Sequence, residues 1–584
     1  MVPLMDTPEQ VEGGLDDPTA LEPEQGSLAL VAPEDSHTRA DWEQATAAVL
    51  RKARRMTDED ADDLVWSKLT RRTLDGVAVT PLGTPDLLDG LATAGRPMRA
   101  GEWDVRAHLA GAEKQAHEDA LVDLEGGVAS LWLEVGPGTD FATLLDGVLL
   151  DLAPVVLDAR VDGGDAEATA RAFLDFVNGG ALHPGTNLGL PAATATAAQA
   201  ALATGEQVLG FVVDGTVVHD RGASDAQELG AALREAATYL RALTGEGMTV
   251  AEAAGLVEFR LAVTDEQFPS IAKLRAARRL WARVQELSGL AEPVPMRLHA
   301  VTSRPMMTRY DSYTNMLRTT VAAFAAGVGG ADAVTVLPFD APLGRSETFG
   351  RRIARNTNHL LVSESHVARV TDPAGGSYAV EKLTDDLAAA GWAVLGELEG
   401  GADLDALVAA TVEQREAELA TRKRPVTGVS EFPNLAEELP ARVADGAWDD
   451  VRPWAASYEA MRDAPPATPV FLATLGTVAQ HTARATFATN LLAAGGVAVE
   501  VAGPTDGTDA LVAAYGTAGS PSVVCLAGAD PTYDEWGAAA AAALREAGAG
   551  RVLIAGRPTD YADDSCAMGV DALAFLTRTR EALA

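Results

Sequence analysis

The residues to weigh first for chemistry are nine histidines and two cysteines. An imidazole titrates near neutral pH and can move a proton or bind a metal, and a thiolate can attack or ligate. Cys525 and Cys566 are isolated, have no C-x2-C spacing and sit in apolar late segments. They read as buried small hydrophobes in a reducing compartment, neither a metal site nor a disulfide framework. Two histidines each follow a strand-like run: His219 in DGTVVHDRGAS (214–224) and His481 in LGTVAQHTARA (475–485). His219 has an acid–base role open to it. A ligating histidine is oriented by a carboxylate on its second nitrogen, and the residue two before His481 is Ala479. No HExxH, GxSxG, P-loop or Rossmann fingerprint is present, so the chemistries those motifs perform have no support.

The elements that must position these residues follow from the apolar rhythm. At 584 residues the chain is too long for one core and calls for two or three domains. Residues 1–38 are rich in Asp, Glu, Pro and Gly without periodicity and read as a disordered acidic tail. Residues 39–89 have helical spacing from Ala40 to Leu69 and then TLDGVAVTPLGTPD, a helical arm too short to bury its own apolar positions. Between 90 and 415, short apolar runs alternate with helical patterns. Strands are expected at Ala129–Val135, Val155–Val161, Asn187–Leu190, Val208–Val213, Val257–Val263, Met296–Thr302, Ala333–Leu337 and Leu360–Val362. Helices such as Ala166–Phe176, Ala226–Leu243, Ile271–Leu287 and Ser312–Gly327 separate them. Such alternation predicts an α/β fold with a parallel sheet closed into a (β/α)8 TIM barrel. Residues 416–466 are Pro-rich and charged and read as a linker. Residues 467–584 return to strand–helix alternation and predict a small doubly wound α/β domain.

Asp and Glu outnumber Lys and Arg by 84 to 46, a formal net charge of −38. That excludes duplex nucleic acid and anionic membrane as partners, since both need a positive face. The first residues are acidic and polar, unlike a secretory signal, and the Ala-rich run near Gly537–Leu544 is too short to span a membrane. A cytoplasmic location is expected.

Three long blocks, in order, carry a resemblance. IAKLRAARRLWARV (271–284), SYTNMLRTTVAAFAAGVGGADAV (312–334) and RRIARNTNHLLVSESHVARVTDPAGGSYAVEKLT (351–384) are similar to signature segments of the adenosylcobalamin-dependent acyl-CoA mutases. In that family the second block reads NN-x-x-RT and the third RIARNTQ…ESG…DP-x-GGSY-x-VE. The resemblance runs from about Arg71 onward. It implies a barrel whose axis is threaded by an acyl-CoA and a flavodoxin-like domain that clamps a corrin. The implied chemistry is Co–C homolysis followed by a 1,2 carbon-skeleton shift, which the cofactor performs while the protein orients and shields.

The resemblance also says where the orienting groups belong, and there they are missing. The lower-ligand motif D-x-H-x-x-G, registered on Gly476, falls on Val478, Gln480 and Ala483. A valine cannot orient an imidazole and an amide is a poor cobalt ligand; a slip of one residue brings in His481, without its aspartate. The S-x-L that lines the nucleotide tail becomes Cys525-Leu526-Ala527. The Gly-Gly whose backbone approaches the tail becomes Gly556-Arg557, and the arginine is expected to fill the channel. In the barrel, the tyrosine of PLYT is Gly83. The catalytic histidine of SGYHMQEAGAT is Val217, with His219 two residues on and expected on the same strand face. The Arg and Ser of APRLSFF are Leu256 and Glu258, and the glutamine of HSQTSG is Val301. The polar contacts to the adenosyl group in TNSLDEA are Pro338 and Ala341.

Fold-determining blocks are kept while polar site residues are gone. Within the family, heterodimeric methylmalonyl-CoA mutases pair a competent large subunit with a degenerate small one, and this chain resembles the small one. The resemblance implies a subunit without catalysis of its own. Adenosylcobalamin and acyl-CoA would be held by the large subunit, which interconverts (R)-methylmalonyl-CoA and succinyl-CoA, and the arm would contact that partner. The alternatives are an active mutase of another acyl-CoA, such as isobutyryl-CoA, which needs His219 and His481 in shifted roles, and a regulatory module bound to a mutase.

Overall fold

The computed structural model describes residues 36–91, 97, 99, 101–159 and 164–584. Residues 1–35 of the expected acidic tail lie outside the described residues. The chain forms two units, one up to Arg71 and one from Arg72 onward.

In the first unit, helix Arg39–Lys52 opens on a capping box, in which Thr38 and Asp41 satisfy each other's backbone N–H groups, and closes on Arg51 and Lys52. With helix Leu64–Leu69 it surrounds Ala47, Leu50, Met56 and Val65, beside Trp42 and Trp66, whose rings lie 4.6 Å apart. The arm therefore has a small core of its own, contrary to the expectation from its length. The two tryptophans supply apolar area that length does not.

The second unit begins with a closed barrel of eight parallel strands. They are β1 Asp104–Leu109, β2 Ser130–Glu134, β3 Val155–Asp158, β4 Asn187–Pro191, β5 Leu209–Asp214, β6 Val257–Val263, β7 Arg297–Thr302 and β8 Ala333–Thr335. Each pairs with the next, and β8 closes on β1 through Ala333–Asp104 and Val334–Val105. Seven of the expected strands are present. The eighth, Leu360–Val362, is a correction: it continues helix Thr348–His359 as a π-turn over Leu360–Glu364. Leu361 and Val362 are buried while Leu360 is 50% exposed. So short an apolar run has no period of its own and follows the helical ladder before it. The strand that completes the barrel is β1, whose DVRAHL places charged residues at alternate positions. Those positions look like a solvated face in the sequence, but they point to the barrel axis.

The three signature blocks hold the barrel together. From helix Gln267–Leu287, Arg275 pairs with Asp372 and, at 2.8 Å, with Glu381, which also accepts from Gly376 N–H. Arg278 donates to the carbonyls of Met296 and Gly330 and pairs with Asp332. Asn315 donates to the carbonyls of Thr308 and Phe339, and Trp103 donates to Asn358 at 2.9 Å. Buried charges and amides are costly unless paired, so these residues specify one arrangement of the outer helices.

The expected linker is tied down. After helix Leu404–Ala420 the chain has little regular structure until helix Ala456–Asp463. Arg462 there donates to the carbonyls of Gly428 and Asn434 and lies 3.7 Å from the Tyr310 ring centroid. Beyond it lies a parallel sheet of β9 Val470–Thr474, β10 Val499–Val501, β11 Val523–Ala527, β12 Arg551–Ala555 and β13 Asp564–Cys566. Their spatial order is β10-β9-β11-β12-β13. Val470, Leu472 and Leu553 pack on one face, and Phe471, Ala473 and Ile554 on the other. Both cysteines are free and buried, as expected. Among the described residues no helix is long and apolar enough to cross a membrane.

Candidate functional site

The strands of a barrel of this kind send alternate side chains to the axis, where layers of Val, Ile and Leu are usual. Here ionic side chains meet there. Arg106 on β1 reaches across to Glu258 on β6, N–O 2.7 Å, and both are fully buried. Arg106 also pairs with Asp104 and donates to Ser130, and Arg297 on β7 donates to Glu258 at 3.1 Å. Burial alone would raise the Glu258 pKa; Arg106 and Arg297 outweigh it and hold the carboxylate charged, below its ordinary value. Nearer the carboxyl ends, Arg260 lies 4.0 Å from the Trp132 ring centroid and pairs with Asp158 at 3.1 Å and Asp214 at 2.8 Å. Trp132 donates to Asp158 at 2.9 Å. His299 is held neutral by burial and by Arg106 and Arg260; it shares a hydrogen bond with Thr335 at 2.8 Å. Side chains from seven of the eight strands thus interlock on the axis. At the mouth, the glycine that ends HSQTSG in the family is Arg304, fully buried and paired with Asp220 at 3.0 Å.

His219 does not lie on a strand face. It is in the one-turn helix Thr216–Asp220 after β5. Residues two apart in a helix point to roughly opposite sides, so Val217 faces outward, 53% exposed, while His219 is buried. Its Nε2 shares a hydrogen bond with Ser303 Oγ at 2.7 Å, and its Nδ1 is 3.5 Å from Glu228. Glu228 in turn accepts from Lys273 at 2.7 Å and from Ala262 N–H. Lys273 is buried; burial would lower its pKa, but Asp225 at 2.8 Å and Glu228 outweigh that and keep it charged.

Asp75 joins this cluster, accepting from Ala226 N–H at 3.3 Å. Burial, then the nearby Asp225, pushes its carboxyl up to about 6. A carboxyl raised in the fold contributes stability below its unfolded value that is lost as pH rises through about 6. Asp75→Asn should therefore stabilise the chain at pH 8 by on the order of 2 kcal/mol, with the gain vanishing in acid. Urea unfolding at the two pH values checks this; an equal effect at both would contradict it.

The other barrel positions are apolar or closed. Val301 and Ala341 are buried, and Leu256 and Pro338 are partly buried. A β-carbon on Gly83 would lie 2.9 Å from the Ala379 nitrogen, so no side chain fits there. A small cleft lies beside β1, lined in part by His108, Asp123, Arg351 and Arg355. Both arginines pair with Asp123.

Beside the C-terminal parallel sheet, the stretch registered on the lower-ligand motif is a capped helix start. Helix Val478–Ala494 has Thr477 as N-cap, and Gln480 accepts from the Thr477 N–H at 2.8 Å and its hydroxyl at 2.9 Å. Val478 and Ala483 are exposed. His481 is buried in the first turn, its Nδ1 3.3 Å from the Gly476 carbonyl. Arg557 is exposed, which corrects the expectation that it fills a channel. The atoms that close on Gly556 belong to Arg484 and Tyr533. Among the described residues no group of three or more His, Cys, Asp or Glu is placed to hold a metal.

The structure does not bring His219 and His481 into one site. Sequence reasoning missed the axial arginines Arg106, Arg260 and Arg304. The signal was charge at alternate positions of DVRAHL and VEFRLAV, the period of a strand with one polar face.

The family model for methylmalonyl-CoA mutase matches residues 197–494. The methylmalonyl-CoA mutase small subunit of Streptomyces virginiae is 43% identical over 95% of this chain and 97% of its own length. That of Propionibacterium freudenreichii subsp. shermanii is 33% identical over 95% and 96%. A methylmalonyl-CoA mutase of Cereibacter sphaeroides is 33% identical over only 40% of this chain and 34% of its own length. With its closed eight-stranded barrel, its retained signature blocks and this likeness over nearly its whole length, the chain belongs to the methylmalonyl-CoA mutase family.

Proposed function

We propose that this chain is the small, non-catalytic subunit of a heterodimeric methylmalonyl-CoA mutase. The large subunit binds adenosylcobalamin and interconverts (R)-methylmalonyl-CoA and succinyl-CoA; this chain supports it in the cytoplasm. The observation that carries the reading is the filled barrel axis. An acyl chain threading it would have to part Arg106 from Glu258 and Arg260 from Asp158 and Asp214, leaving buried charges unpaired.

The second domain supports the same reading. Its strand order, 2-1-3-4-5 in chain sequence, is that of flavodoxin-like folds, which bind ligands at the carboxyl ends of the strands. The residues there do not fit a histidine-ligated corrin. His481 is turned into the helix start, and Gln480 is used in the cap. The N-terminal arm is the proposed contact with the large subunit.

Two measurements test the proposal. Adenosylcobalamin titrated into the purified chain should leave its visible spectrum that of the free cofactor; a stoichiometric histidine-ligated spectrum would contradict the reading. Co-expression with a large subunit should give a one-to-one complex whose turnover His219→Ala leaves within about two-fold. A loss on the order of a hundred-fold, typical of a missing acid–base group, would place chemistry in this chain.

A further inference from the structure

We infer that Tyr533 is an internal ligand: its ring occupies the crevice at the carboxyl ends of β11 and β12, so this domain is closed without a bound molecule. The inference rests on the proposed absence of a cofactor from this chain and names the side chain that takes its space.

The geometry resembles a ligand cradle. Gly528 follows β11 and Gly556 follows β12. A β-carbon on Gly528 would lie 3.4 Å from one edge of the Tyr533 ring, and one on Gly556 would lie 3.4 Å from the other. Each β-carbon would thus touch the ring at van der Waals distance. The hydroxyl is held by three backbone groups. It accepts from Gly528 N–H at 2.9 Å and lies 2.8 Å from the Ala555 carbonyl and 3.1 Å from that of Leu526. Arg484, from helix Val478–Ala494, lies over the ring with its guanidinium 5.0 Å from the centroid, and it pairs with Asp530. The result is a buried aromatic ring between two glycines, its polar tip on three backbone groups and a cation on its face.

The local backbone delivers the ring. Helical residues Asp530–Thr532 run into a π-turn over Tyr533–Gly537 and then into helix Ala538–Glu546. A π-turn adds one residue to a helical turn and re-aims the side chain where it begins. The ligand crevice of a sheet with this order is at the carboxyl ends, beside the point where the order reverses between β9 and β11. Leu475, which follows β9, lies 3.1 Å from the same β-carbon position on Gly528. The ring is therefore beside the reversal.

The test is cavity rescue in the full chain. Tyr533→Gly should lower the melting midpoint by several degrees. Tyr533→Phe, which keeps the ring and loses the hydroxyl, should lower it by less than half of that. Millimolar phenol should raise the midpoint of Tyr533→Gly by several degrees and leave the unsubstituted chain unmoved. If Tyr533→Gly melts with the unsubstituted chain, or phenol shifts both alike, the ring is not an internal ligand. If Tyr533→Gly does not fold by itself, refolding from urea with and without phenol decides. Phenol-dependent recovery supports the inference, and equal recovery in both overturns it. Cobalamin taken up by the unsubstituted chain would instead defeat the reading of the subunit as cofactor-free, an outcome separate from the phenol result.

Discussion

Arg106→Met should destabilise the barrel by about 3–5 kcal/mol. Arg106 is fully buried and joins Asp104, Ser130 and Glu258 across the axis. Its loss leaves Glu258 with Arg297 as its paired cation and Asp104 without the Arg106 guanidinium. The double variant Arg106→Met with Glu258→Met should cost less than the single one, because apolar side chains of similar volume need no counter-charge. Their difference should also depend on pH. In the unsubstituted chain the Glu258 pKa is lowered, so its stabilisation is present above its unfolded value and lost as pH falls below it. In Arg106→Met the same carboxyl loses its main partner and takes up a proton more readily, so the single variant should recover relative to the double one in acid. Urea denaturation at neutral and acidic pH measures both. A single variant within about 1 kcal/mol of the parent, the range of an exposed pair, would show that the axial network does not hold the barrel.

Lys273→Met should cost a similar amount, about 3–5 kcal/mol, by a different route. The ammonium serves Glu228 and Asp225 at once, with Asp75 and His219 beside them. Without it, carboxylates are crowded around helix Asp225–Gly245, and the variant should be least stable at high pH and partly recover as they protonate. Co-expressed with a large subunit, the folded fraction should keep its turnover per complex, because the residue serves the fold. A stable Lys273→Met chain with turnover down a hundred-fold or more would reverse that assignment. The lysine is part of IAKLRAARRLWARV, so this substitution also tests why the block is kept. Its cations bind acidic residues and carbonyls of the same chain, and nothing in that role requires a substrate.

Much of this molecule was legible in order and type. Strand β6 is Val257–Val263 in both the sequence reading and the structure, and the helices near 166–177, 225–245 and 267–287 have clear apolar spacing. The missing β1 and the false strand at Leu360–Val362 share one physical cause. A strand whose inner face pairs with ions across an axis carries charge where apolar residues are sought.

What the sequence determined by itself was the alternation that closes a barrel and the family blocks. These depend on local period and residue type. What only the tertiary structure decided was where the remaining polar residues meet. Arg106 and Glu258 are 152 positions apart and bond across the axis. His219 turns inward because its segment is a helical turn, and Arg484 and Tyr533, not Arg557, close on Gly556. Such contacts depend on barrel closure and on the rotation of a turn, and a strand and a helix point the same residue in different directions.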